Sequence, residues 1–336
     1  MASRPTRASL LRSRAGIVQW VSLVAAVGFV AWILSTRGDD LKAAFALTPT
    51  LFALISASAM ATFIVNGVEL QVLAKRFDRH IPFGEAMLLG LLVSTLNYLP
   101  MKTGTLLNGV LMKARYKISL GHFGALVAGS SVIHLWVALG CAGTALLWTG
   151  HEPALAWALL LVPTAVIAVL VVWGRRRSLG KYDDHASKWV RALWRVVDGI
   201  AMIYSSWRLL AIEVVINVVL VMLASVRTMW SFDALSTSAG FGVSVVVTAI
   251  GIFAARLSVI PGGIGFKEGG AAAGAAVAGL EPSLGLAASV VDRAVTLVWL
   301  LLLGVPAAWY LMRITGVHLA DATSRTAAAD DAEEGA

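Results

Sequence analysis

Six stretches of the chain are apolar over 20 residues or more and carry few charged side chains. A helix of about 20 apolar residues crosses the hydrocarbon core of a bilayer, which is roughly 30 Å thick. Only 14% of the 336 residues are charged, against about 25% in soluble domains, so the apolar surface exceeds what one protein core buries. The sequence therefore predicts an all-α polytopic membrane protein. The predicted spans are Gly16–Ser35, Thr50–Leu73, Gly121–Trp148, Pro153–Trp173, Leu209–Trp230 and Leu284–Met312.

Two further apolar segments are each interrupted near the middle by proline and glycine. Each interruption leaves two apolar arms that are shorter than a span or barely reach its length. Proline lacks a backbone N–H and glycine accepts unusual backbone angles, so a straight helix is not expected through these points. Each segment is predicted to form a re-entrant helical hairpin, with kinked ordinary helices as the alternative. The segments are Glu85–Lys113, broken at Pro100-x-x-x-Gly104, and Gly240–Gly279, broken at Pro261-x-x-x-Gly265.

Basic residues cluster beside the apolar segments, as they do in the cytoplasmic loops of membrane proteins. Six full transmembrane helices plus two hairpins that enter from opposite faces would place every cluster on the cytoplasmic side. Paired interruptions in two halves of a chain are typical of inverted-repeat transporters, which bind their substrate where the repeats meet. Eight simple transmembrane helices are the alternative architecture.

The chain divides into two membrane halves joined by a basic segment. This segment is predicted to be an amphipathic helix on the cytoplasmic membrane surface, because its apolar and basic residues fall on different faces. A small, polar and acidic tail is predicted to be disordered. Both termini are expected in the cytoplasm, and the protein in the inner, cytoplasmic-type membrane. The predicted organisation is a basic N-terminus (1–15), the first membrane half (16–173), the linker (174–207), the second membrane half (208–313) and the tail (314–336).

The net charge of +8 does not indicate a nucleic-acid-binding protein, since the basic residues lie in short clusters at the ends of apolar segments. The sequence has no nucleotide-binding loop, zinc-ligand spacing or serine-hydrolase motif, and its one cysteine, Cys141, lies in an apolar stretch. We therefore expect no cofactor, no metal site and no enzymatic activity. An enzyme that acts on a lipid phosphate is the alternative in that class.

Several ionisable side chains fall inside the predicted membrane segments, where each costs about 2.5–3.5 kcal/mol on insertion scales. The richer group lies in the second half, around its break and in the last span. A half-helix that begins after this break offers free backbone N–H groups to an anion, and arginine offers a phosphate two parallel donors. We therefore expect a binding site for a lipid phosphate. Its expected residues are Arg256, Arg293, Lys102, Lys267, Pro261, Gly262, Gly263 and Gly265.

Two carboxylates near this predicted site, Glu268 and Asp292, are expected to balance its positive charge or to exchange a proton during transport. Interhelical ion pairs are the alternative for both. Glu69 lies near the end of its span, where it can extend to the head groups, and His134 stands alone among apolar residues, as packing histidines do. The expected supporting residues are Asn97, Pro100, Gly104, Glu213 and Asn217.

The segment Ile260–Glu268 (Ile-Pro-Gly-Gly-Ile-Gly-Phe-Lys-Glu), followed by Asp292 and Arg293 in the last span, resembles the lysylphosphatidylglycerol synthase transmembrane region, also called the flippase-like domain family. The segment Asn97–Gly104 is similar to the first-half motif of that family. Lys102 stands where the family usually has arginine, and the following span lacks the family's acidic–arginine pair. These departures shift the expected site towards the second half.

The resemblance implies translocation of a lipid with a large polar head group. Bifunctional members of the family join this membrane part to a soluble transferase domain, whereas this chain is expected to be a stand-alone membrane part. Stand-alone members are implicated in moving phospholipids or polyprenyl-phosphate-linked glycans. The expected function is a flippase-like transporter whose partners are anionic or polyprenyl-phosphate lipids. The alternative is a non-catalytic membrane partner of cell-envelope glycan or lipid synthesis enzymes.

Overall fold

Ten α-helices, labelled α1 to α10, follow one another in the computed structural model, which describes residues 47–98, 103–176, 206–258 and 260–315. No β-strand occurs in those ranges. The helices of the first half are α1 (Pro49–Lys75), α2 (Phe83–Leu96), α3 (Thr103–Tyr116), α4 (Leu120–Thr149) and α5 (Pro153–Arg176). Those of the second half are α6 (Trp207–Ala234), α7 (Phe241–Leu257), α8 (Phe266–Val277), α9 (Pro282–Trp299) and α10 (Val305–Thr315), with a 3-10 turn at Pro261–Gly263 and a π-helical turn at Leu300–Gly304.

Within the described residues, four helical segments are long and apolar enough to cross a membrane: α1, α4, α6 and the continuous run Pro282–Thr315, which joins α9 to α10. Each of them coincides with a predicted span, and α5 coincides with a fifth. On α5 the large apolar side chains Trp157, Leu161 and Val169 are more than half exposed, as expected of a surface that faces lipid rather than water. The prediction of an all-α polytopic membrane protein is confirmed.

Several predictions concern residues outside the described ranges. They include residues 1–46, which hold the basic N-terminus and the predicted first span, most of the linker 174–207, and the tail beyond Thr315. Residues 99–102 of the predicted first-half break, among them Pro100 and Lys102, also lie outside. The predictions for these segments stay predictions.

The first interrupted segment folds into an antiparallel helical hairpin. Its two arms, α2 and α3, pack against each other, and side-chain contacts link the start of α2 to the end of α3. At the base of the hairpin, the carboxylate of Glu85 pairs with Arg115 and accepts a hydrogen bond from Tyr116. At the tip, Asn97 Oδ1 accepts hydrogen bonds from both the N–H and the hydroxyl of Thr105. A side chain at Gly104 would lie 2.5 Å from the carbonyl oxygen of Val93, so glycine allows the two arms to meet there.

The second interrupted segment forms a similar hairpin from α7 and α8, which contact each other through small residues. A Cβ on Gly270 would lie 2.6 Å from the Cβ of Ala254, and one on Gly274 would lie 2.7 Å from the Cα of Val247. Small residues at such positions let helix backbones approach closely and gain packing contacts that do not depend on water. The predicted interruption of both apolar segments is confirmed.

The bases of the two hairpins lie at opposite ends of α4, and their tips meet between them. The first hairpin ends at Tyr116, four residues before α4 begins. The base of the second lies at the other end of α4, because Gly242 packs on Thr149 and Gly279 on His151. At the tips, the N–H of Gly262 donates to the carbonyl oxygen of Asn97 at 2.8 Å.

The helix lengths agree with this arrangement. At 1.5 Å per residue, α2 is about 21 Å long, α7 is about 26 Å long and α4 is about 45 Å long, from their 14, 17 and 30 residues. Two arms laid end to end therefore match one full span.

We expect the Gly274→Ala variant to unfold at a temperature several degrees lower than the wild type, because the added methyl group meets backbone atoms of α7 that cannot move aside. Overpacking of this kind costs about 1–3 kcal/mol. The matched control is Gly269→Ala on the same helix, where nothing lies within 4 Å of the new Cβ and alanine improves helix propensity. Tryptophan fluorescence of the purified protein in detergent measures both transitions, and equal transitions would contradict the close contact.

Candidate functional site

The contact between the two hairpin tips is the centre of the candidate site. Gly262 has φ +64°, and a Cβ at this position would lie 2.6 Å from the ring of Tyr98. Only glycine fits both the backbone angle and the space. The ring of Tyr98 in turn lies under the guanidinium group of Arg293, whose central carbon is 5.8 Å from the ring centroid. The first-half break and the second-half break therefore form one continuous structure, which we call the tip joint.

Arg293 and Glu268 hold the backbone of the second break in place. Arg293 Nη1 donates to the carbonyl oxygen of Gly262 at 3.1 Å, and its Nε lies 2.6 Å from Glu268 Oε1. The other oxygen of Glu268 accepts the N–H of Gly265 at 2.7 Å, at the start of α8. Gly263, the remaining glycine of the 3-10 turn, packs on Ala255 with a φ of +62°. The polar backbone of the break is thus satisfied by charged side chains as well as by the opposite tip.

Asp292 lies beside this joint and connects α9 directly to α6 and α8. Its Oδ1 is 2.6 Å from Arg227 Nε on α6, and its Oδ2 is 2.7 Å from Lys267 Nζ on α8. Arg227 also donates to the hydroxyl of Thr62 on α1. Together with Arg293 and Glu268, this network holds three cations and two carboxylates, so it keeps a net positive charge inside the membrane-spanning bundle.

A polar cavity of about 570 Å³ extends from the base of the first hairpin to the tip joint. Ala74 and Met112 line the end of the cavity near the hairpin base, and Gly262 and Lys267 line the end near the tip joint. A smaller chamber of about 220 Å³ lies further in, against Asp292 and the rest of its network. The residues on the wall that the two spaces share are Asn66, His134, Ile252, Arg256 and Lys267.

Arg256 differs from Arg227, Lys267 and Arg293 because no carboxylate among the described residues forms an ion pair with it. Its guanidinium group makes one hydrogen bond, from Nη1 to Ser131 Oγ at 3.1 Å. The side chain is exposed, but it lines both chambers, so its free surface faces the interior space. The positive charge of Arg256 interacts through the cavity with the carboxylate of Glu69, without direct contact.

A second polar cluster lies on the opposite side of the cavity, on α1, α4 and α6. Glu69 does not extend to the head groups, as its place near a span end predicts, because its carboxylate accepts the hydroxyl of Ser130 at 2.6 Å. Glu213 is fully buried behind them. Asn217, one turn further along α6, donates to the main-chain oxygen of Glu213 and lies 2.6 Å from Nδ1 of His134. His134 thus has the partner that a packing histidine needs.

The structure separates the predicted site residues into groups. The tip joint and its ion pairs bring together Asn97, Gly262, Gly265, Lys267, Glu268, Asp292 and Arg293. Arg256 stands apart on the cavity wall, whereas Glu213 and Asn217 belong to the second cluster. Gly104 supports the first tip, and of Pro261 the structure describes the backbone, as the first residue of the 3-10 turn.

Sequence reasoning did not single out Arg227 or Tyr98. Arg227 is an arginine inside an apolar span, so the insertion cost that drew attention to the other charges applies equally to it. Tyr98 is part of the first-half motif, but no local pattern indicates that its ring packs on Gly262. That contact depends on the meeting of two segments far apart in sequence.

Comparison with known protein families assigns the chain to a membrane-protein family. The sequence model of the family described as Lysylphosphatidylglycerol synthase TM region matches residues 19–304. The chain belongs to this family. A search of curated proteins finds no match to the chain. Membership confirms the resemblance carried by Ile260–Glu268 and identifies the chain as a membrane domain of a family associated with lipid and flippase-like functions.

We expect Asp292→Asn to lower the free energy of unfolding by about 3–5 kcal/mol, since the change leaves two cations without their buried counter-charge. The control is Asp233→Asn, the same change on an exposed residue at the end of α6. Denaturant-induced unfolding in detergent compares the two. Arg227→Gln in the Asp292→Asn background should recover part of the loss, and a purely additive effect would contradict the ion pair.

Proposed function

We propose that the protein moves a phosphate-bearing lipid, either a phospholipid or a polyprenyl-phosphate-linked glycan, across the cytoplasmic membrane. The observation that carries the proposal is Arg256, a cation without an ion-paired carboxylate on the wall that two interior chambers share. A guanidinium group binds phosphate through two parallel hydrogen bonds. An arginine kept at this depth without a paired carboxylate is costly, which favours a ligand that supplies the negative charge.

The larger chamber has a suitable size and lining for a polar head group. Small-molecule sites typically have volumes of about 300–1,000 Å³, and this chamber has about 570 Å³. Its wall combines Arg256 with uncharged donors and acceptors, among them Asn66, Asn108 and Ser131. Lys267 adds a second cation at the deep end, although Asp292 already holds it. The phosphate is therefore assigned to Arg256, with Lys267 as a neighbouring charge.

An apolar cavity of about 650 Å³ supports a lipid rather than a free anion as the ligand. It lies between α4, α5, α6 and α7, and its lining includes Val137, Cys141, Val218 and Phe241. α4 contributes to both spaces, because Ser130 lines the polar cavity about two helical turns before Val137, which lines the apolar one. One helix thus separates a compartment for a head group from one for an acyl or polyprenyl chain.

The proposed mechanism is alternating access through the two hairpins. We interpret them as re-entrant hairpins of an inverted repeat, an interpretation supported by their short arms, their opposite bases and their meeting tips. We assign the base of the first hairpin to the cytoplasm because basic residues lie near it, as the positive-inside rule expects, and we assign both termini to the same side. In this orientation the polar cavity opens to the cytoplasm, and the tip joint closes it from the other face.

One observation favours a second function, that of a non-catalytic partner of cell-envelope glycan or lipid synthesis enzymes. Arg293, Glu268 and Asp292 are all held in ion pairs, so part of the charge at depth stabilises the fold. In that case the cavity charges would serve stability and assembly only, and no lipid would cross. Neither proposed function includes a chemical change of the lipid.

We expect Arg256→Gln to reduce the rate of translocation of fluorescent phosphatidylglycerol or polyprenyl phosphate in proteoliposomes by about 10-fold to 100-fold, since hydrogen bonds to charged groups contribute about 1.5–3 kcal/mol. Arg256→Lys should retain part of the activity as a point charge. The control is Arg208→Gln, the same change at an exposed position at the start of α6.

Wild-type rates in the Arg256→Gln variant would contradict the phosphate site. A folded wild-type protein that moves neither lipid class would contradict transport itself and favour the partner function.

A further inference from the structure

The most unusual buried group outside the tip joint is the carboxyl group of Glu213. Its side chain is 0% exposed, and neither of its oxygens has a hydrogen-bond partner among the described residues. Burying an ionised carboxylate without partners costs several kcal/mol even after relaxation. Glu268 and Asp292, in contrast, are each held by cations. Glu213 therefore needs another explanation than charge balance.

The surroundings of Glu213 add a second carboxyl group instead of a cation. The charge of Glu69 reaches Glu213, and the Ser130 hydroxyl lies near it without forming a hydrogen bond to it. Two buried carboxylates whose charges repel each other do not both ionise readily. Glu69 has the better place for the negative charge, because Ser130 donates to it and Arg256 faces it across the cavity. The neutral, protonated form of Glu213 consequently suits this buried position better than the carboxylate.

The other charged and titratable groups on neighbouring helices do not supply a counter-ion to Glu213. His134 on α4 is bonded to Asn217. The positive charge of Arg256 on α7 is directed at the carboxylate of Glu69. The network on α8 and α9 meets α6 at Arg227, fourteen residues from Glu213 and so about 21 Å along the helix. The titratable and polar groups of this region are Glu69, Ser130, His134 and Arg256.

We propose that Glu213, Ser130 and Glu69 form a proton-transfer site that couples proton binding to the anion site on Arg256, an inference that rests on the proposed lipid transport. The Ser130 hydroxyl has one hydrogen to donate and two lone pairs to accept. It already donates to Glu69, so it can accept the O–H of Glu213. As the Glu213 proton moves to Ser130 Oγ, the Ser130 proton moves to Glu69. Glu213 becomes the carboxylate, Glu69 becomes the neutral acid and the serine is unchanged.

This transfer changes what Arg256 faces. Glu69 lines the polar cavity, whereas Glu213 does not. With the proton on Glu213, the Glu69 carboxylate faces Arg256 and competes with any other anion. With the proton on Glu69, the positive charge of Arg256 is available to a phosphate. Binding of a lipid phosphate to Arg256 is therefore expected to go with the proton on Glu69, and an empty anion site with the proton on Glu213.

The decisive measurement is the infrared absorption of protonated carboxylic acids in the full-length wild-type protein in detergent at pH 8. Surface carboxylates are ionised at this pH, so we expect a carboxylic acid band that is lost in Glu213→Gln and kept in Glu69→Gln. The control is Glu85→Gln, at the base of the first hairpin, which should leave the band unchanged. No lipid is involved, so this result does not depend on the proposed function.

The absence of this band from the wild type would overturn the proposal, and so would a band that survives in folded Glu213→Gln. If that variant does not fold, the wild-type band and its persistence in Glu69→Gln decide the matter. A wild type without the band but with a sodium-dependent rise in unfolding temperature would replace the proton by a sodium ion and equally overturn the proposal.

A second arm adds short-chain phosphatidylglycerol and records the difference spectrum. We expect the Glu213 band to decrease and a Glu69 band to appear in the wild type, and Ser130→Ala to block this change. An unchanged spectrum with bound lipid would overturn the transfer. If no lipid binds, the proposed substrate is wrong, and the lipid-free measurement still decides whether Glu213 holds a proton.

Discussion

Every backbone N–H and carbonyl group at bilayer depth needs a partner, because lipid offers none. Two breaks in apolar helices create a set of such groups, and the protein satisfies them by bringing the breaks together. The N–H of Gly262 pairs with Asn97, its carbonyl with Arg293, and the N–H of Gly265 with Glu268. This mutual satisfaction fixes how long the hairpin arms are and where the cavity ends, so the rest of the architecture follows from it.

The charged residues inside the bundle serve different purposes, which their partners distinguish. Arg293 and Glu268 are tied to the backbone of the break. Asp292 holds Arg227 and Lys267, and Arg227 in turn donates to Thr62 in the first half. Truncating one member of such a set leaves the other charge buried and unpaired. Arg256 and Glu213 lack ion-paired partners in the described ranges, and they are the groups most able to respond to a ligand or a proton.

The helices and both breaks could be predicted from sequence because they depend on local properties: apolar length, proline and glycine. Pairing of charges depends on which residues meet in space, and local patterns do not report it. The residue type of Arg293 predicts that it binds the phosphate, whereas in the structure it donates to the carbonyl of Gly262 and forms an ion pair with Glu268. Glu213 was recognised only as a supporting group, since nothing in the sequence reveals that its burial is complete. The roles of Lys102 and Pro100 stay predictions.

The tip joint also has a consequence for biosynthesis. Its two halves are separated by about 165 residues along the chain, which a ribosome adds in roughly 10–30 s at about 5–20 residues per second. During this interval the carbonyl of Asn97 has no Gly262 to bind. The first hairpin must wait at the insertion machinery, at the membrane surface or against another protein until the second half arrives. The order of synthesis thus leaves the polar tip of the first hairpin without its second-half partner until the second hairpin has been made.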